Sequence, residues 1–92
     1  MAEGAWEAYL TEEARSVWDS LSQDEQLEVQ RLITLIELDP WVDGRVKVRA
    51  DLPPGIVVIY RHPTWVIPFR GPEQGRIAIL FIARRGTRSQ WG

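Results

Sequence analysis

The chain has 92 residues, 45% of them hydrophobic, with thirteen acids, eleven bases and no cysteine. That length supports one small domain with a single core, and the cysteine count excludes disulfides and thiolate metal sites and fits a reducing cytoplasm. The near-neutral total of −2 hides a split: residues 1–44 hold eleven acids and two bases, a net −9, and residues 45–92 hold nine bases and two acids, a net +7.

The opening MAEGAWEAYL has no basic n-region and no long apolar run, and no stretch reaches the roughly 18 apolar residues of a membrane span. A cytoplasmic protein with no membrane partner is expected. Residues 5–10 read as a first strand with Trp6, Ala8 and Leu10 on one face. Thr11 follows as a helix N-cap, with Glu12 and Glu13 where the helix dipole favours acids. Ala14, Val17, Trp18 and Leu21 form one apolar stripe at i, i+3, i+4 and i+7. Ser22 and Glu25 have the spacing of a capping box and open a second helix. Its apolar face is expected to hold Leu27, Leu32, Leu35, Ile36 and Leu38, and Asp39-Pro40 ends it.

The character then changes. Residues 41–51 read as a connector with a possible short strand that would put Arg45, Lys47 and Arg49 on one face. Leu52-Pro53-Pro54-Gly55 is a turn, and the β-branched residues 56–61 form a strand. His62-Pro63-Thr64 is a tight connection. Residues 65–70 form the next strand, where Pro68 marks an edge, a bulge or a break because it has no N–H to donate. Residues 71–75 are a loop, and residues 76–84 read as a central strand, apolar on both faces. The expected architecture is α+β, in the order β-α-α-β-β-β. A helical hairpin packs on a small, mostly antiparallel sheet in one domain over residues 1–92, with residues 1–4 and 86–92 as flexible tails.

Motifs for nucleotide cradling, zinc proteolysis and serine hydrolysis are absent, and a single histidine rules out a multi-histidine metal site, so no metal and no cofactor are expected. The carboxylate pairs Glu12–Glu13 and Asp24–Glu25 are helix-start residues. What remains is basic: Arg45, Lys47 and Arg49 as one groove wall, Arg61 and Arg70 beside the middle hairpin, and Arg84, Arg85 and Arg88 at the end. Such a set can hold phosphates, and arginine can stabilise the charge of a phosphoryl transition state. Cleavage of RNA through its own 2′-hydroxyl needs a base, an acid and cations, and no metal. His62, beside Arg61, is the candidate proton carrier, with a solvated turn residue as the plainer reading. The charge split has its own plain reading, in which the two halves attract each other and solubilise one fold. Trp18 is expected in the core and Trp41 over the end of the hairpin. Trp65 is either core or a base-stacking platform, and Trp91 either docks on the fold or anchors a partner.

Leu10-Thr11-Glu12-Glu13-Ala14, the helical hairpin, Gly44-Arg45-Val46-Lys47 before Leu52-Pro53, and the ending Ile77-Ala78-Ile79-Leu80-Phe81-Ile82-Ala83-Arg84-Arg85 together resemble the RelE/ParE superfamily of bacterial toxins over residues 5–88. The resemblance implies a toxin of a type II toxin–antitoxin system. RelE-like members cut mRNA on the ribosome without metal, ParE-like members inhibit DNA gyrase, and both are neutralised by a cognate antitoxin. Lys47 and Arg84 or Arg85 match basic positions of the family. Val57, Val58 and Ile59 stand where bases are usual, Val66 stands at the middle strand's arginine, and no Tyr or His follows His62.

Three readings stay open. The first is a RelE-like endoribonuclease, with Arg84, Arg85 and His62 as catalytic residues and Arg45, Lys47, Arg49, Arg61, Arg70 and Arg88 holding substrate. The second is a ParE-like or nuclease-inactive toxin that blocks gyrase or another target. The third is a small interaction domain whose charge split serves self-association, which would make a homo-oligomer.

Overall fold

In the computed structural model, which describes residues 6–40, 44, 46–52, 55–73 and 75–86, two helices lie on one side of a six-stranded, mostly antiparallel sheet. The chain enters as strand β1 (Glu7–Leu10) and turns at Thr11 into helix α1 (Glu12–Ser20). The Thr11 hydroxyl accepts from the Ala14 N–H at 3.3 Å and donates to the Ile79 carbonyl at 3.0 Å. One side chain thus caps the helix and ties it to the sheet. Helix α2 (Gln23–Leu38) opens on the expected capping box. The Glu25 N–H donates to the Ser22 hydroxyl at 3.2 Å, and the Ser22 N–H donates to the Glu25 carboxylate at 2.9 Å.

The buried face of α2 is Val29, Leu32, Ile33 and Ile36, again at i, i+3, i+4 and i+7. This corrects the sequence expectation. Leu27, Leu35 and Leu38 lie on the outward side and are more than half exposed. Hydrophobicity alone placed them inside, but a helix of 3.6 residues per turn cannot aim positions 27, 35 and 38 at the sheet together with 29 and 33.

The sheet has the order β1-β5-β4-β3-β2. Strands β2 (Lys47–Leu52), β3 (Gly55–Arg61) and β4 (Trp65–Glu73) form an antiparallel meander. The short strand expected within the connector is therefore a full strand of six residues. Strand β5 (Arg76–Ile79) pairs antiparallel with β4 and parallel with β1, so it is an interior strand as expected. The expected long last strand is interrupted after Ile79 and resumes as β6 (Ala83–Arg84), which pairs with the first half of β4.

That interruption explains Pro68, which sits inside the central strand, opposite Ile59 of β3, and is fully buried. Its carbonyl accepts from the Leu80 N–H at 2.9 Å. A residue's N–H and C=O point to the same side of a strand, so the missing N–H falls at the seam between β5 and β6 and breaks no ladder bond to β3. Farther along β4 the register to β5 shifts between Arg70 and Glu73. Gly71 adopts φ 115° there, a conformation that suits glycine in a bulge.

Trp65, Ile67 and Phe69 of β4, with Ile77 and Ile79 of β5, form the floor on which the helices rest. Trp6, Ala8 and Leu10 pack against the same core, as their alternation predicts. The end of α2 also covers the outer edge of β1: the Ala8 N–H donates to the Glu37 carboxylate at 2.8 Å and the Trp6 N–H to the Glu37 carbonyl at 3.3 Å. No helix among the described residues is long and apolar enough to cross a membrane. Residues 1–4 and 87–92, and with them Trp91, lie outside the described residues, as does Trp41.

Candidate anion-binding face of the sheet

Register decides which face each basic side chain takes. Side chains alternate along a strand, and residues directly opposite on neighbouring strands share a face. Phe69 lies in the core beneath the helices and pairs with Val58 and Ile79. Traced outward from there, Lys47, Arg49, Tyr60 and Arg84 are on the helix side, and Tyr9, Arg61, Arg70 and Arg76 are on the opposite side.

Two of the helix-side bases, Lys47 and Arg84, pair with acids of the helical layer. Lys47 is only 7% exposed and its ammonium lies 3.9 Å from the Asp39 carboxylate. It does not line an open groove, which corrects that part of the sequence expectation. Arg49 shares its face and is exposed, while Arg45 and Arg88 lie outside the described residues. Arg84 stacks its guanidinium on the Trp65 ring, 4.7 Å from the centroid, and pairs with the Glu25 carboxylate. The Trp65 indole N–H donates to the Glu28 carboxylate. Trp65 is 2% exposed, so of its two readings the structure gives core and not an open stacking platform. Trp18 is half-buried against that core. The Glu25 carboxyl is held below its ordinary value, chiefly by the Ser22 backbone N–H; desolvation opposes this, and the Ser22 hydroxyl and the Arg84 charge reinforce it.

Arg84 and Arg85 therefore do not act from one place. Adjacent residues on extended chain point to opposite faces. The Arg85 N–H donates to the Thr64 carbonyl at 2.7 Å, extending the β6–β4 pairing by one residue. Its Nη1 donates to the His62 carbonyl at 3.3 Å. His62 is half-buried, and its Nδ1 accepts from the Thr64 N–H at 3.0 Å. That bond assigns the neutral ring's proton to Nε2, so the ring offers a hydrogen-bond donor. Arg61, His62 and Arg85 thus lie at the turn between β3 and β4, at one end of the sheet.

Two rows cross that face. In the first, Tyr9, Ala78, Arg70 and Val57 lie in register over β1, β5, β4 and β3. In the second, Arg61, Val66 and Ala83 lie in register over β3, β4 and β6. The rows are four residues apart on β4, about 13 Å at the usual rise. Between the basic ends the floor is short and apolar: Val57, Val66, Pro68, Ala78 and Ala83 are all buried. Arg61, Arg76 and Arg85 are exposed and Arg70 is half-buried at the rim. Among the described side chains, Arg61, Arg70, Arg76 and Arg85 have no carboxylate within ion-pair distance. The same face carries no group of three or more described residues that could hold a metal ion.

One constellation was not foreseen. The Arg76 guanidinium lies over the Tyr9 ring, 5.1 Å from its centroid, and Tyr9 is 45% exposed. The alternation of Trp6, Ala8 and Leu10 already turned Tyr9 outward, but its neighbour follows only from the parallel register of β1 on β5.

No protein-family model matches this sequence, and no curated protein matches it at a significant level. Solved structures do. A chain of the toxin–antitoxin complex RelBE2 from Mycobacterium tuberculosis superposes with a TM-score of 0.71 at 18% identity, over 88% of this chain and 99% of that one. A chain of the archaeal RelE–RelB complex from Pyrococcus horikoshii gives 0.69 at 11% identity, over 91% of this chain and 99% of that one. The chain therefore shares the fold of these two chains, α+β with two helices on a mostly antiparallel sheet.

Proposed function

We propose that this chain is the toxin of a toxin–antitoxin pair and that its helix-free sheet face holds ribosome-associated mRNA for metal-independent cleavage. The observation that carries the reading is the partition of charge. Acids of the helical layer neutralise Lys47 and Arg84, while Arg61, Arg70, Arg76 and Arg85 face outward from the other side with no described carboxylate partner. Both structural neighbours come from toxin–antitoxin complexes, which supports an antitoxin as partner. Such a partner would have to cover this face to silence it.

In the cleavage step the 2′-oxygen attacks phosphorus and releases its proton to water. The 5′-oxygen leaves and takes a proton from water, giving a 2′,3′-cyclic phosphate and a 5′-hydroxyl. Arg61, Arg85 and the Nε2–H of His62 stabilise the additional negative charge on the phosphoryl oxygens. Arg70 and Arg76 hold the chain farther along the face. Arg84 acts from the other side of the sheet by fixing the β6 segment to α2.

The engagement of Arg84 with Glu25 and the apolar floor at Val66 favour a second reading, a toxin that blocks gyrase or another target by binding alone. Antitoxin-free protein added to a cell-free translation reaction, with the mRNA mapped by primer extension, separates the two. Ribosome-dependent cuts that vanish in Arg61→Ala/Arg85→Ala support the nuclease. Intact mRNA and normal protein yield, with lost supercoiling in a gyrase assay, would replace it by the second reading.

A further inference from the structure

We propose that Tyr9, Arg76 and Arg70 form a nucleotide subsite that stacks one base of a single-stranded RNA and holds its phosphate. The proposal rests on the reading of the helix-free face as an RNA surface and adds a recognition element at its far end.

Three observations converge on it. Tyr9 and Arg70 flank Ala78 in register, on strands either side of β5. Two strand spacings separate their backbones by about 10 Å; Ala78 between them is buried, so the surface a planar ring could meet is that of the exposed Tyr9 side chain. Arg76 lies on the same face, two residues before Ala78, with its guanidinium over the Tyr9 ring. An arginine plane on an aromatic ring extends a stacking platform, and every base has a π-face to lay on it.

The charge fits the same occupant. Arg70 and Arg76 contribute two positive charges. Two acids are paired with Arg76 in register, Glu7 on β1 and Glu73 on β4, and Glu7 makes no ion pair with it. An unpaired base offers an apolar face beside a phosphate, which is what this corner complements. A duplex buries its base faces and could use only the arginines. The distance along β4 sets the strand's path: a base at Tyr9 and a phosphate at Arg70 leave the next stretch of chain running toward Arg61, Arg85 and His62.

The chain has only two tyrosines, and Tyr60 is on the helix side of the sheet. The full chain labelled with 3-fluorotyrosine therefore gives one reporter in the subsite and one control outside it. Titration with single-stranded oligoadenylate should shift the Tyr9 fluorine resonance and leave that of Tyr60 in place. Inorganic phosphate alone should not reproduce the shift. Tyr9→Leu should weaken oligoadenylate binding about tenfold or more, since a base–aromatic stack is worth about 1–3 kcal/mol. Tyr9→Trp should retain the affinity, which separates lost stacking from lost folding. Wild-type binding that Arg61→Ala/Arg70→Ala weakens, with the Tyr9 resonance unmoved and Tyr9→Leu unimpaired, would overturn the subsite and leave the RNA face standing. Equal affinity for duplex RNA would also overturn the subsite. No RNA binding at all would overturn both.

Discussion

Removing Arg61 and Arg70 together should flatten the salt dependence of RNA binding, whereas removing Lys47 and Arg84 should not. Four bases reach the helix-free face without a described acid partner: Arg61, Arg70, Arg76 and Arg85. Each phosphate neutralised on a single strand contributes about 0.7 to the slope of log K against log salt, so the wild type should show a slope of about −3. The double variant Arg61→Ala/Arg70→Ala should fall to about −1.4. Lys47→Met/Arg84→Ala should keep the wild-type slope, because those charges already face acids across the sheet from the RNA. The assay is fluorescence anisotropy of a labelled single-stranded oligoribonucleotide, titrated at several potassium chloride concentrations. Thermal melts of each variant establish that it is folded. The whole chain carries a net −2, so a steep slope can arise only from a local basic face. Equal slopes for the wild type and Arg61→Ala/Arg70→Ala, or a loss confined to Lys47→Met/Arg84→Ala, would refute the partition of charge by face.

Phe69→Ala should cost about 3–5 kcal/mol, because Phe69 is fully buried at the centre of the sheet, and urea unfolding would measure it. Thr11→Ala should cost about 1–2 kcal/mol in the same assay, since it removes a helix cap and a bond to the Ile79 carbonyl together. Glu25 adds a pH dependence. Its folded value is lowered, so its contribution is present above the unfolded glutamate value and is lost as pH falls through the folded one. Melts between pH 7 and pH 3 should show a smaller acid loss for Glu25→Gln than for the wild type; parallel curves would exclude this carboxylate as the source.

The sequence was most legible where one residue's local chemistry decides the outcome. Thr11, Ser22 with Glu25, and Asp39-Pro40 set the helix ends within a residue, because capping is satisfied inside one turn. Legibility failed where a residue's role depends on a partner far along the chain. Leu27, Leu35 and Leu38 look like core until the rotation of α2 over the sheet is known. Pro68 argued for an edge, a bulge or a break, and only the seam between β5 and β6 shows where its missing N–H falls. The basic set read as one surface, yet pairing register sends Lys47 and Arg84 to the helices and Arg61 and Arg70 away from them. Tyr9 became interesting only once β1 was laid beside β5.

The parallel seat of β1 also bears on the order in which the molecule comes together. β2, β3, β4 and β5 pair with neighbours adjacent in the chain, whereas β1 is joined to β5 by contacts such as Thr11 to Ile79, across 68 positions. Closing so long a loop costs entropy before any contact offsets it, so the meander forms readily and the first strand docks late. Arg61 and Arg70 are in place as soon as the meander exists. Tyr9 joins them only when the first strand docks beside nearly the last. A chain still being synthesised, or one that has lost its edge strand, has the cations without the aromatic end of the face. The finished surface exists only once the first strand has closed on β5.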